Sequence, residues 1–423
     1  MKKGRKVVIG IFLLVCPEIL SGCKQAQRGQ QVKEPITLSV LAGQTTADAG
    51  MEDMINDCIK ESYPNVVLEW NTVEWGSEFE DLLRADMASG EIPDIIIGKA
   101  QDVQAYYKTG NLAELDSSFA PYFSYDTLDD VVVDGNLYGI PYNMDYQGVI
   151  YNRDIFEKLH LQVPKTREQL QQVVAALEAN NITPFVWCGQ DNTLLTTNTM
   201  QFMLNDIFLT DKSWGKKFRM GQVFMDQSDE VNACFENVGY MCAHSFTDAL
   251  QLEPYECNVR FATGQAAMYM TSTWALSSIL PNSSTTNYGI FPYPNMTGDA
   301  KLIRETNLTF MKGADTAYGE LIDEIFKTIV TNESLCSEIS DFTQTIPVVK
   351  GMKSSCLQEM QTEIDSYEQN NQVIDSIDGY SQLSWNYMDE ITQKQLEWIK
   401  GNCSLKELID YANLKRQDSD KLK

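Results

Sequence analysis

Strand-like and helix-like patterns of apolar residues alternate along the chain from residue 36 onward. Residues 36–41 and 66–70 read as strands, and residues 47–63 and 77–88 carry the apolar spacing of helices. Residues 94–97 form a short, continuously apolar run that is typical of a buried strand. Strands that alternate with helices predict a parallel sheet covered by helices on both faces. We therefore predict an α/β lobe in this part of the chain.

The pattern changes after residue 152. Two strand-like runs, residues 137–140 and 149–151, are separated by Pro141 and Gly148, so we place a segment that crosses from one lobe to the other at residues 143–148. Helical spacing dominates beyond it, at residues 154–159, 166–180, 193–208 and 229–242. A second, helix-rich lobe is predicted.

The rest of the chain is predicted to return to the first lobe and to leave it again. Crossings are placed at residues 288–294 and near residues 347–351. Strands are predicted at residues 266–270 and 307–311, and helices at residues 273–280, 318–331, 355–369, 387–400 and 404–414.

The length of 423 residues exceeds what one hydrophobic core usually supports. We predict an α/β fold of two lobes, joined by several crossing segments, with a ligand cleft between them. Lobe one comprises residues 36–146 and 293–348. Lobe two comprises residues 147–292 and 349–423 and is a helix-rich α/β lobe.

The N-terminus has the pattern of a secretory signal. Four basic residues precede the apolar residues 7–15, a run too short to span a membrane. Leu20-Ser21-Gly22-Cys23 then resembles the lipobox of bacterial lipoproteins. The resemblance implies a signal peptide at residues 1–22, a lipid on Cys23 and a polar tether at residues 23–35. An ordinary secretory signal, with Cys23 incidental, is the alternative.

Charge and composition exclude several classes of function. The formal net charge of −26, with no basic cluster, makes nucleic acid an improbable partner. The chain has only two histidines and no CxxC pair, so no metal site and no cofactor are expected. The eight cysteines other than Cys16 and Cys23 allow many disulfide pairings, so the sequence does not determine their connectivity. The alternative is that many of them are buried free thiols, since a chain of this size needs no disulfide framework.

Three stretches resemble the family 1 extracellular solute-binding proteins, the carbohydrate receptors of ABC importers. Residues 83–96 are similar to the family's helix, Ser-Gly turn and Pro-Asp strand. Residues 134–170 resemble its hairpin, Pro-Tyr hinge and the Tyr-Asn that enters lobe two. Residues 261–274 resemble the Phe-x-x-Gly-x-Ala-Ala-Met strand that ends in a tryptophan, and residues 395–408 fit as well.

The resemblance implies a periplasmic-binding-protein-like fold and a function in import. We expect an extracytoplasmic, lipid-anchored monomer that binds a carbohydrate, in particular an oligosaccharide, by hinge closure and delivers it to the permease subunits of an ABC importer. The resemblance implies no catalysis. It does not identify the sugar, since this architecture accepts diverse ligands.

Candidate ligand-binding residues are aromatic and polar side chains near strand ends and crossings. A sugar needs flat apolar faces for its C–H surface and polar groups for its hydroxyls. Core packing is the alternative role for each aromatic. The candidates are Glu74 and Trp75 after the second strand, Tyr142 and Asp145 at the first crossing, Trp187 and Asp191 in lobe two, Trp274 after the strand at residues 266–270, and Trp385.

Two other classes of function stay open. The common hydrolase, P-loop, dinucleotide and zinc-protease motifs are absent from the sequence. A glycoside hydrolase, however, needs only two carboxylates about 5–10 Å apart. A lipoprotein that presents a ligand to a sensor kinase is the third class, which a neighbouring permease gene would disfavour.

Overall fold

The strands run in one large curved sheet and a small hairpin. The computed structural model describes residues 34–43, 50–73, 77–123 and 125–420. Its sheet follows the order β2-β1-β3-β10-β6-β8-β7, with β9 and β11 on β6 and β12 on β10. The strands of the described chain are β1 (Ile36–Gly43), β2 (Val66–Val73), β3 (Ile95–Gly98), β4 (Val132–Val133), β5 (Asn136–Leu137), β6 (Ile140–Asn152), β7 (Thr183–Val186), β8 (Ala266–Ser272), β9 (Tyr288–Phe291), β10 (Leu302–Lys312), β11 (Ile346–Pro347) and β12 (Val373–Asp375).

Helices connect most of these strands. In the described residues they are α1 (Met51–Ser62), α2 (Ser77–Ser89), α3 (Ala100–Lys108), α4 (Tyr125–Leu128), α5 (Arg153–Lys158), α6 (Arg167–Ala179), α7 (Asn192–Met203), α8 (Trp214–Arg219), α9 (Asp229–Ala243), α10 (Pro254–Ala262), α11 (Leu276–Ile279), α12 (Gly319–Thr331), α13 (Glu333–Thr343), α14 (Gln358–Gln369), α15 (Ile377–Tyr380), α16 (Trp385–Ile399) and α17 (Leu405–Leu414). None of these helices is long and apolar enough to cross a membrane.

The predicted parallel βα units are present at the start of the fold. Strand β1 pairs in parallel with both β2 and β3, and its pairing with β2 runs from Ile36 opposite Val66 to Gly43 opposite Val73. The connecting helices α1 and α2 bury apolar side chains such as Ile55 and Leu83 against this sheet. Parallel strands need such crossover helices because a short turn cannot reverse the chain direction twice.

Two groups of hydrophobic clusters divide the compact unit Pro35–Lys423. One cluster packs β1, β3 and helices α1, α12 and α13, with members between Leu38 and Tyr142 and between Leu308 and Val349. The other clusters pack β7, β8 and the helices that follow residue 152, with members such as Phe235 and Phe261. We call the first part lobe one and the second part lobe two.

Strand β6 is continuous where the sequence predicted an interruption at Pro141 and Gly148. Pro141 pairs with Thr309 next to a register shift in β10, and a proline is tolerated beside such a bulge. A Cβ on Gly148 would lie 2.8 Å from the Phe291 carbonyl oxygen and from Leu302 Cδ2. Pro141 therefore lies beside a bulge, and Gly148 lies where Phe291 and Leu302 pack closely against the strand. Neither residue ends the strand.

Strand β10 also runs from one lobe into the other. Ile303 belongs to a lobe-two cluster and Phe310 to the lobe-one cluster. Tyr293, which precedes this strand, also packs in lobe two. The chain therefore passes from the lobe-two clusters to the lobe-one cluster within β10.

Two predicted helices are shorter in the structure. The run expected at residues 193–208 is α7 followed by a π-helical turn at Leu204–Phe208. The run expected at residues 273–280 is a 3-10 turn, Thr273–Ala275, followed by the short α11. Most of the other predicted strands and helices lie within a few residues of their predicted positions, which is the usual uncertainty of element ends. The strand expected at residues 307–311 is longer and begins at Leu302, and several elements, among them β7 and α13, were not predicted.

The cysteines of the described chain are free thiols. Six are buried, and Cys242 and Cys403 are partly exposed. Burial raises the pKa of the Cys242 thiol to about 11. Buried thiols of this kind act as small apolar side chains.

Candidate functional site

A cavity opens where the end of β3 and the ends of four helices, two from each lobe, meet. Its non-atom space, including the part open to solvent, is about 350 Å³. The lining residues are Phe79 and Glu80 on α2, Lys99, Gln101 and Asp102 at the start of α3, Thr193 on α7, and Trp385 at the start of α16. The cavity therefore draws on lobe one and lobe two.

Trp385 contributes an indole group to the wall of this cavity. The side chain is 5% exposed, and its ring lies 5.7 Å from the ring of Tyr380. Its indole N–H has no hydrogen-bond partner. A buried donor without a partner is costly, so this N–H is available to an acceptor on a ligand.

The two lobes also touch beside the cavity. Asn386 Nδ2 on α16 donates a hydrogen bond of 3.2 Å to Asp81 Oδ1 on α2. This contact joins the residue after Trp385 to the residue after Glu80, so the cavity lies against a direct contact between the lobes.

A chain of polar contacts leads from the cavity into the crossing strands. Lys99 Nζ lies 3.0 Å from Glu305 Oε1 on β10. Gln147 Nε2 on β6 donates to Glu305 Oε2 at 2.9 Å, and Gln201 Nε2 on α7 donates to Gln147 Oε1 at 2.8 Å. Side chains of both lobes are thereby tied to one carboxylate, Glu305, which is only 3% exposed.

Asp145 lies directly opposite Glu305 in the β6–β10 register. Asp145 is fully buried, and neither carboxylate oxygen has a hydrogen-bond partner. Burial, and then the Glu305 carboxylate, raise the pKa of Asp145 well above its usual range, although Lys99 lowers it. An acidic group that can donate or accept a hydrogen bond therefore lies next to Lys99, a lining residue of the cavity.

The charge of Lys99 is maintained in this setting. Burial lowers the pKa of the Lys99 amine, but Glu305, Asp145 and Asp102 raise it by more, so the pKa lies above its usual value. Lys99 is thus a cation held among carboxylates.

Of the sequence candidates, Trp385 lines the cavity, and Asp145 lies one contact behind it. Tyr142 does not reach the cavity in this structure. Side chains alternate along a strand, and the Tyr142 ring packs edge-on against Phe310, 5.5 Å away, in the lobe-one core.

Trp187 and Asp191 have structural roles. Trp187 is 4% exposed and packs in the lobe-two core. Asp191 Oδ1 accepts a hydrogen bond of 2.8 Å from the Leu194 N–H and so caps the N-terminus of α7. Packing and helix capping account for both residues without a ligand.

Trp274 lies on the 3-10 turn that follows β8. Its side chain is 36% exposed, and it stands outside the group that lines the cavity. The last residue of β8, Ser272, pairs with Gln147 of the polar chain described above. Trp274 is therefore an accessible aromatic two residues beyond that pairing.

Glu74, Trp75 and Cys23 lie outside the described residues. Glu74 and Trp75 directly precede α2, whose residues Phe79 and Glu80 line the cavity.

Sequence reasoning missed most of the lining residues. Lys99, Gln101 and Asp102 follow the carboxyl end of β3 as Glu74 and Trp75 follow that of β2. The carboxyl ends of parallel strands are the usual binding edge of such sheets, so this signal could have found the three residues. Phe79 and Thr193 give no such signal.

Comparison with known proteins places the chain in a family. The fold and the interlobe cavity define a two-lobed binding protein. Residues 42–327 match the model of the bacterial extracellular solute-binding protein family, and the chain belongs to this family. A curated relative, the multiple sugar-binding protein of Streptococcus mutans serotype c, is 21% identical over 370 residues, which cover 84% of each chain.

Solved structures share the fold at low sequence identity. RafE in complex with raffinose has a TM-score of 0.76 at 15% identity, over 91% of this chain and 99% of that chain. A sugar transporter from Bacillus licheniformis in complex with stachyose has a TM-score of 0.76 at 15% identity, over 91% and 100% of the two chains. These likenesses confirm the predicted two-lobed, periplasmic-binding-protein-like α/β fold.

Proposed function

We propose that this protein is the extracytoplasmic substrate-binding component of an ABC importer and that it binds a carbohydrate, in particular an oligosaccharide. Its family membership supports a role in solute capture. The named relative binds sugars, and two structures of the same fold hold raffinose and stachyose.

One observation of the site carries the proposal. The cavity between the lobes combines aromatic side chains, Phe79 and Trp385, with the polar groups of Lys99, Gln101 and Asp102. Aromatic faces suit the C–H surface of a pyranose, and the indole N–H of Trp385 has no partner within the protein. This is the composition that a sugar site requires.

Binding is proposed to close the cleft. A ligand that contacts Phe79 and Lys99 in lobe one and Trp385 in lobe two interacts fully only when the lobes meet, so it favours the closed state. The crossing strands β6 and β10 act as the hinge. Lobe one then comprises residues 36 to about 145 and about 306 to 349, and lobe two comprises most of the rest.

Several parts of the predicted site belong to this proposal. We place Trp385 in the site because it lines the cavity, and Asp145 because it lies next to the lining residue Lys99. Glu74, Trp75 and Trp274 are placed there on their positions in the sequence. Cys23 is the proposed site of lipid attachment, and the permease subunits of the importer are the proposed partners of a monomer.

The proposal is tested by showing that the protein binds a sugar and leaves it chemically unchanged. Thermal-shift screening of the purified protein against mono- and oligosaccharides should find a ligand, because saturation at about 100 times the dissociation constant adds about 2.7 kcal/mol to stability. Chromatography of the incubated sugar should then show it unchanged. Absence of any stabilising sugar would refute carbohydrate binding, and hydrolysis of the sugar would favour an enzyme.

A further inference from the structure

The cavity is surrounded by more carboxylates than cations. Glu80 and Asp102 line it and are about 95% buried, and Asp81 lies at the contact between the lobes. Glu305 and Asp145 lie behind Lys99. Each of these carboxyl groups lies on a helix or a strand.

The cations of this region are already engaged. Lys99 Nζ is held by Glu305 at 3.0 Å. Arg84 lies 3.8 Å from Glu80 and 3.3 Å from Asp81. Five carboxylates thus face two cations among the described side chains around the cavity. If Asp145 is protonated, four carboxylates still face the two cations.

Arg304, the neighbour of Glu305 in β10, does not change this balance. Its side chain forms a pair of contacts with Asp375, 2.7 Å from Nε to Oδ1 and 3.2 Å from Nη2 to Oδ2. A further contact of 3.5 Å reaches Glu368. Arg304 is therefore committed to lobe-two carboxylates.

Resting on the carbohydrate-binding function proposed above, we propose that the cleft takes uncharged glycans and excludes uronate-bearing ones, and that the cluster of Lys99, Glu305 and Asp145 sets this selectivity. A sugar hydroxyl can donate to a carboxylate and accept from an N–H, whereas a uronate carboxylate can only accept. Here its acceptor oxygens would meet Lys99 only by competing with Glu305.

Repulsion between the uronate and the carboxylates of the cleft determines how much affinity the uronate loses. A second like charge about 5 Å away at a partly buried site weakens binding by about tenfold to a hundredfold. The discrimination should therefore be readily measurable, and salt should screen it only weakly because the groups are buried.

The experiment compares three forms of one glycan. After screening has found a neutral oligosaccharide, its primary hydroxyl is oxidised to the uronate, and the uronamide is made as an uncharged control of the same shape. Titration calorimetry should show the uronate binding at least about tenfold more weakly than the uronamide. A uronate that binds as tightly as the uronamide would overturn the inference.

Variants then test which residues set the selectivity. Glu305→Gln removes the ion-pair partner of Lys99. The variant should therefore narrow the difference in binding affinity between the uronate and the uronamide. Asp145→Asn removes the charge that Asp145 carries once it ionises, so at pH values above its raised pKa the variant should narrow the difference in affinity as well. It serves if Glu305→Gln does not fold. Asp410→Asn, at an exposed pair with Lys406, is the matched control and should leave the difference unchanged. If the difference in affinity stays unchanged in both cleft variants, the cluster does not set the selectivity.

The failures can be told apart. If no glycan binds, the proposed function fails, and the inference fails with it. If a neutral glycan binds and charge makes no difference, only the inference fails. If uronates alone stabilise the protein in the first screen, carbohydrate binding stands and the inference is wrong.

Discussion

Asp145 and Glu305 lie directly opposite each other on the antiparallel strands β6 and β10, and both are buried. Like charges at such positions destabilise a sheet pair. Lys99 and Gln147 stabilise Glu305, while the carboxylate oxygens of Asp145 have no hydrogen-bond partner. Replacing one member of this pair is therefore expected to change the stability of the protein.

Asp145→Asn should stabilise the ligand-free protein at neutral and alkaline pH. The folded protein holds the Asp145 proton to higher pH than the unfolded chain does, because burial and Glu305 raise its pKa. Stability therefore falls as pH rises from about 4, the unfolded pKa, through the folded pKa. The variant removes this loss, with a gain of about 1.4 kcal/mol for each unit by which the pKa is raised.

Urea unfolding of both proteins at pH 4, 6 and 8 measures this effect. The advantage of Asp145→Asn should be smallest at pH 4 and grow with pH. Asp410→Asn, on the exposed face of α17, should show no such trend. An advantage that is independent of pH would contradict the prediction.

Trp385→Phe should weaken sugar binding without lowering stability much. The indole N–H has no partner within the protein, so the folded state loses no hydrogen bond when it is removed. If the N–H donates to the ligand, affinity should fall by about 0.5–1.5 kcal/mol, measured by calorimetry. Trp398→Phe on the same helix, which packs against Gly239, should leave affinity unchanged. Equal effects of the two variants would argue against a role for Trp385 in binding.

Trp274→Ala should lower sugar affinity by about 2–4 kcal/mol, by analogy with the loss of other anchoring aromatics. The side chain is 36% exposed, so the melting temperature should change little. Tyr255→Ala, at an aromatic that is 67% exposed, is the control for a general surface effect. Unchanged affinity would remove Trp274 from the site.

Gly148→Ala should destabilise the protein by about 1–3 kcal/mol, because the new methyl group overpacks its surroundings. It would lie 2.8 Å from the Phe291 carbonyl oxygen and from Leu302 Cδ2. Gly319→Ala, where no atom lies within 4 Å of the new Cβ, should be neutral or slightly stabilising. Chemical unfolding of both variants checks this, and equal stabilities would mean that β6 adjusts freely at Gly148.

Cys23→Ala should abolish lipid attachment. The Leu20-Ser21-Gly22-Cys23 sequence motivates this expectation, and each buried CH₂ of an acyl chain adds about 0.8 kcal/mol of membrane affinity. Wild type and variant are grown with a labelled fatty acid, and only the wild type should carry the label. A wild-type protein without label would show that Cys23 is not the anchor.

The local sequence determined most of the elements. The apolar runs at β1 and β3 and the helical spacing of α6 and α9 predicted these elements within a few residues, because each must bury one face and the sequence repeats at the matching period. Similarity along residues 83–96, 134–170 and 261–274 gave the family and, through it, the two lobes.

Only the tertiary structure decided how β6 and β10 cross between the lobes and which side chains meet at the cavity. Pro141 and Gly148 read as strand breaks in sequence, but the bulge in β10 and the approach of Phe291 accommodate them. The position of Asp145 opposite Glu305, the ion pair of Lys99 with Glu305 and the electrostatic interaction of Lys99 with Asp145 join residues far apart in the chain. Such contacts depend on strand register and lobe packing, which no local pattern of hydrophobic and polar residues specifies.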